Sequence, residues 1–213
     1  VNDLEMKNLL ERRLQRFTVA TLENTYFQDE LIAARDRLEK APVLPDFLLT
    51  ELSSTEVTVG ESRVGKPSDF LALWERGEVW YEDPTTLKLI PIKRGIAEEL
   101  IPKYSGVANG KPKEYAIAGD YIRLFPSPDV LFNLKMIYYQ SSGAFDYITP
   151  GTNRWSANYP DLLIAEAGIY MARVLGSPGG DNFFTAMQQR EAARLTRHEV
   201  SLESGNYVAE AET

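Results

Sequence analysis

The chain predicts an α+β fold: a four-helix bundle formed by N- and C-terminal helical hairpins, with an inserted antiparallel β module. Three observations carry this. Apolar residues recur at helical spacing near both ends of the chain, whereas the middle breaks into short alternating runs punctuated by Gly and Pro. With 44% apolar residues in a length of 213, there is enough material for a real core. The predicted boundaries are 1–42 and 141–203 for the bundle, 43–140 for the β module and 204–213 for a mobile C-terminal tail.

The first helix follows from Met6, Leu10, Leu14 and Phe17 on one stripe, with Asn2 and Glu5 spaced as a capping box. Phe27, Leu31, Ala34 and Leu38 predict a second over 25–40, ended by Pro42 and Pro45. Strands are then expected at 47–52, 56–59, 78–81, 87–92, 115–118, 121–125 and 131–139. Alternation in Glu56-Val57-Thr58-Val59 and in Leu87 through Ile92 points to antiparallel pairing with one solvated face. Ala118-Gly119-Asp120 reads as a hairpin turn, and 96–104 as a short helix. Residues 140–158 are polar and read as a linker or exposed loop. Helix resumes at Pro160. Its run to Leu175 is apolar on nearly every face, so neighbours must enclose it. Ser177-Pro178-Gly179-Gly180 breaks the pattern, and a last helix from Asp181 or Asn182 carries Phe184, Met187, Leu195 and Leu202 on one stripe.

Composition removes several kinds of chemistry. There is no cysteine, which excludes disulfides, thiolate metal sites and cysteine nucleophiles. The single histidine, His198, stands between Arg197 and Glu199 and reads as a surface residue. A formal net charge of -8 argues against free nucleic-acid binding. No apolar run approaches the ~20 residues that span a bilayer, so the chain is expected to be soluble, unexported and away from membranes. Gly110-Lys111 lacks phosphate-loop spacing, and dinucleotide and calcium-loop patterns are missing. No cofactor, metal or catalytic residue is expected. Glu98, Glu99, Asp120, Asp129, Asp161 and Glu166 supply carboxylates, while Trp74, Trp80, Tyr81 and Trp155 could stack on sugars. Packing of the β module is the plainer role for those rings.

Val64-Gly65-Lys66-Pro67-Ser68-Asp69-Phe70-Leu71, Leu89-Ile90-Pro91-Ile92 with Arg94-Gly95-Ile96-Ala97-Glu98-Glu99-Leu100, the strand-corner-strand of 115–139, Thr152-Asn153-Arg154-Trp155 and Asn158-Tyr159-Pro160-Asp161-Leu162-Leu163 occur in that order. Their ordered combination resembles the adaptor, or head-to-tail connector, family of tailed bacteriophages. The resemblance implies a virion protein of the neck, assembled in the host cytoplasm as a homo-oligomeric ring, commonly twelve-fold. Such a ring docks on the portal protein, offers a platform to tail or nozzle proteins, and leaves a channel through which DNA only passes. Another neck or tail-completion ring is the nearer alternative, and a tail-associated peptidoglycan glycosidase the farther one. Within the adaptor expectation, Arg190, Arg194 and Arg197 share a helical face and are candidates to pair with acids of a neighbour or the portal. Tyr207 and Val208 are candidates to fold onto a partner. The acidic balance, repeated around a ring, would discourage DNA from sticking in transit.

Overall fold

The first helix, α1 (Asp3–Leu14), opens on the predicted capping box: Glu5 N–H donates to the Asn2 side chain at 2.8 Å, and Asn2 N–H donates to the Glu5 carboxylate at 3.1 Å. The computed structural model describes residues 1–17, 24–74, 79–148 and 151–210; the side chains of 24 and 198–210 lie outside the described residues. After α1 come α2 (Asn24–Leu38), a single 3-10 turn (Asp46–Leu48), β1 (Ser53–Val57), β2 (Arg63–Gly65), β3 (Phe70–Leu73), β4 (Val79–Glu82) and β5 (Leu89–Arg94). The chain continues through α3 (Ala97–Lys103), β6 (Glu114–Ala118), β7 (Tyr121–Phe125), β8 (Phe132–Met136) and β9 (Tyr138–Gln140). It ends in α4 (Arg154–Asn158), α5 (Pro160–Val174) and α6 (Pro178–Glu210). Two compact units result: Val1–Leu48 with Ser141–Thr213, and Leu49–Gln140.

The architecture corrects the expected four-helix bundle with a small β insertion. The described residues form a mixed α+β chain with six helices and a seven-stranded, nearly closed, barrel-like sheet. Its strand order is β1-β8-β4-β5-β6-β7-β2, and β3 pairs with β9 in a separate two-stranded sheet. The ladders are antiparallel except β5 with β6, which run the same way. A parallel neighbour needs a crossover, and α3 supplies it. The alternation read in β5 was a true sign of its pairing with β4, but it carries no information about the strand on its other side. Near-closure also has a local cause. Edge strands β1 and β2 are consecutive, and the turn between them is tied down by Gly60 N–H to Pro128 O at 2.8 Å and Leu124 N–H to Ser62 O at 2.8 Å. Curling in this way limits exposed sheet edge.

Period-two patterning fills this sheet: Phe132, Leu134 and Met136 of β8 face one core with Val79, Tyr81, Ile122 and Leu124. On the opposite face of β6 and β7, Ala116 and Phe125 pack with Leu100 of α3. The end of α3 is held by charge. Lys103 Nζ lies 2.5 Å from Glu114 Oε2, and the Tyr104 hydroxyl donates to the same oxygen at 2.8 Å. The hydrogen bond from Lys103, then that from Tyr104, keeps the Glu114 carboxyl below its ordinary 4.5. A carboxyl depressed by folding adds stability above the unfolded value and loses it as pH falls through the folded one. Thermal unfolding of the wild type should therefore weaken below pH 4.5 more than that of Glu114→Gln, and a carbon-detected titration of Glu114 should show the depressed midpoint. Parallel pH profiles for the two proteins would contradict this.

In the helical unit α5 is the central element, packed on α6 and flanked by α2 and α1. Pro160 occupies its first turn and Leu163, Ile164, Ala167, Met171 and Ala172 are fully buried, as the near-continuous apolar pattern requires. Gly168 permits the closest approach to α6, since a Cβ there would overlap the buried Phe184 ring. Gly168→Ala should cost about 1–3 kcal/mol by overpacking, reduced by up to ~1 kcal/mol of helix propensity. Urea unfolding checks this, and adding Phe184→Leu should recover part of the loss.

The 140–158 stretch is neither a bare linker nor a free loop. Asn153 caps α4, Trp155 is 1% exposed, and two buried carboxylates, Asp3 and Glu39, gather donors from α4 and the segment before it. Asp3 accepts from Asp146 N–H at 2.9 Å, Asn153 N–H at 3.0 Å and Ser156 Oγ at 2.5 Å. Glu39 accepts from Ser141 Oγ, from both Ser142 N–H and Oγ, and from Trp155 Nε1. The break expected at Ser177-Pro178-Gly179-Gly180 does separate α5 from α6, but α6 starts at Pro178 rather than at Asp181 or Asn182, because proline is preorganised for a first helical turn. The backbone of 204–210, expected as tail, continues α6; residues 211–213 lie outside the described residues.

Candidate functional site

Leu9, Arg12, Arg13 and Arg16 lie at spacings that return to one face of α1 and the turn after it, and Phe183, Ala186, Met187 and Arg190 do the same along α6. Between these two stripes runs an open groove of about 640 Å³. Its floor is apolar. Phe183 of that floor also meets the Phe17 ring, with centroids 5.2 Å apart, and Phe17 lies 6.4 Å from Phe184. Four guanidinium groups therefore converge on one surface of a chain whose formal net charge is -8.

The four arginines are not equivalent. Arg13 is a fixture of the fold, paired with Asp161 at 2.9 Å and in contact with Met187 Sδ at 3.3 Å. Arg12 is exposed and donates its Nε to Asn8 O at 3.3 Å, and Arg16 is exposed in the following turn. Neither contacts a carboxylate among the described residues. Arg190 donates its Nε to Glu191 Oε1 at 2.9 Å while its side chain stays 71% exposed. Two free cations and a third half-engaged one thus border an apolar floor. An acidic, partly apolar surface is the chemical complement of that lining, since guanidinium groups pair with carboxylates and the floor offers apolar area.

Of the residues singled out from sequence, Arg190 lines this groove. Arg194 Nη1 sits 3.6 Å from Glu191 Oε2, so Arg190 and Arg194 bracket a buried carboxylate of their own helix. Arg197 is exposed farther along α6. Tyr207 and Val208 belong to the α6 backbone, but their side chains and that of His198 lie outside the described residues. The contribution of α1 was missed. Arg12 and Arg13 in the last turn of a helix read as ordinary complements of its dipole, and only the partner stripe on α6 shows their other use.

The remaining motifs are architectural. Gly119 supplies the positive φ of the two-residue β6–β7 hairpin, and Phe125-Pro126 is a cis bond at the corner that follows. Asp69 accepts from the Tyr138 hydroxyl at 2.9 Å, and Phe70 stacks on the Tyr138 ring at 5.3 Å, which binds the Pro67–Leu71 motif to the β3–β9 sheet. Burial, then the bond to Asp69, pushes the Tyr138 hydroxyl up to about 12. Glu166 is held by Arg37 at 2.8 Å and by Gln188 at 2.6 Å; Arg37 also holds buried Glu30 at 2.6 Å, whose carboxyl burial pushes up. Glu98, Glu99, Asp120 and Asp129 are exposed, and none of the six carboxylates considered lines the groove. Trp155 packs the helical unit, contrary to the expectation that it packs the β module, and Tyr81 is buried in the sheet core.

The sheet unit has a smaller cavity of about 190 Å³ bordered by Ser62, Tyr104, Ser105, Arg123 and Ser127. Arg123 lies over the Phe125 ring at 5.3 Å, and its Nε is buried without a hydrogen-bond partner. Among the described residues no group of three or more His, Asp or Glu is placed to hold a metal ion, and no helix is long and apolar enough to cross a membrane. Comparison of the chain with protein-family models and with curated proteins finds no match in either.

Proposed function

We propose that the chain is a virion structural protein, a head-to-tail adaptor that acts by protein contact. Copies form a ring that docks on the portal, presents a platform to tail or nozzle proteins and leaves a channel for passing DNA. Its place is the neck of the virion, after assembly in the host cytoplasm. The observation that carries this reading is the arginine-rimmed apolar groove of Arg12, Arg16 and Arg190, which has the make-up of a protein-contact surface. The ordered family-like segments support the choice of partner. So does the length of α6. Its 33 residues span about 50 Å, more than twice the ~22 Å of the 15-residue α5. Burial on α6 stops at Glu191 among the residues whose side chains are described, and Arg194 and Arg197 beyond it are exposed and open to another protein.

Purified chain mixed with its cognate portal should co-sediment and add a ring of the portal's symmetry in electron micrographs. Binding only to tail-tube ends would favour another neck or tail-completion ring. Turnover of peptidoglycan abolished by a single Asp or Glu substitution would overturn the scaffold reading altogether.

A further inference from the structure

We infer that the groove between α1 and α6 receives residues 199–213 of a second copy of this chain, so that the self-contact is head-to-tail. The inference rests on the contact-protein reading of the same groove and names its occupant. Charge complementarity selects that segment. Residues 199–213 contain Glu199, Glu203, Glu210 and Glu212 and no lysine or arginine, interleaved with Leu202, Tyr207 and Val208. The first three acids are spaced by four and seven in sequence, along a backbone that is helical to Glu210. A segment whose sequence combines acids with apolar residues matches the groove's arginines and its floor of Leu9, Phe183 and Met187.

Geometry excludes the chain's own segment. Along the continuous α6, Glu199 and Glu210 stand about 13 and 30 Å beyond Arg190, the last α6 residue to line the groove, at 1.5 Å per residue and in a helix that does not turn back. A second molecule supplies the segment instead. Because groove and segment are different surfaces, each copy offers one and accepts the other. Such a heterologous contact propagates around a ring or along a filament.

The test is the mass of the full chain by sedimentation equilibrium over a range of concentration and salt. Wild type should associate reversibly above the mass of one 213-residue chain and dissociate as salt rises. The groove variant R12E/R16E and the segment variant E199R/E203R/E210R/E212R should each associate about 100-fold more weakly. Their equimolar mixture should recover association, since each then meets a groove and segment of opposite sign. Unchanged thermal unfolding of both variants separates lost contact from lost fold. A wild type that stays monomeric, variants that associate like wild type, or a mixture that fails to recover would each overturn the inference. Portal binding by the wild type is scored separately, so a failure of the adaptor reading is distinguishable from a failure of the self-contact.

Discussion

Trp155→Ala is expected to destabilise the helical unit by about 3–5 kcal/mol. The ring is 1% exposed and meets Phe47 edge-on, with centroids 4.9 Å apart and planes at 88°, while Nε1 donates to Glu39 Oε1 at 3.2 Å. Truncation opens a cavity and also takes one donor from a buried carboxylate. Trp155→Phe should lose less, because a ring still fills most of the space. Urea unfolding followed by circular dichroism measures both. Trp74 and Trp80 belong to the sheet unit, so the emission lost with Trp155 also identifies the helical unit's own transition. A loss below about 1 kcal/mol would show that the site collapses around the missing ring.

Asp3→Ala should cost about 3 kcal/mol, since it takes the carboxylate acceptor from the amides of Asp146 and Asn153, while the buried Ser156 hydroxyl keeps only the Asn153 carbonyl at 2.9 Å. Residue 3 looks peripheral in the chain, yet its side chain is 1% exposed. Asp3→Asn keeps one acceptor oxygen and should fall between wild type and alanine. Amide hydrogen exchange gives the direct reading: protection at Asp146 and Asn153 should drop in the alanine variant. Unchanged protection would mean that the segment before α4 is held by Glu39 and Asn153 without help from Asp3.

These two residues also show where local reading ended. Residues 140–158 are polar, and polarity looks the same whether the groups face water or two buried carboxylates. Asp3 and Glu39 lie more than a hundred positions away from the donors they hold. No short window contains both ends of such a bond. The groove failed to appear for the same reason: Arg12 on α1 and Arg16 just after it are unremarkable in sequence, and Arg190 stands out only with Arg194 and Arg197 of its own helix. Their convergence exists only after the helices pack.

What local pattern could establish, it established through periodicity and turn chemistry. The capping box of Asn2 and Glu5, the enclosed α5, the Gly119 hairpin and most strand positions follow from interactions within a few residues. The run at 47–52, expected as a strand, instead holds the 3-10 turn at Asp46–Leu48, and the short β2 escaped notice. Tertiary structure decided pairing: which strand lies beside β5 and in which direction, that β1 and β2 become the two edges of a nearly closed sheet, and that arginines from both ends of the chain border one groove. A strand's alternation records which face is buried but not who its neighbours are. Neighbours are chosen by the packing of the whole unit, and that packing turned scattered charges into a surface.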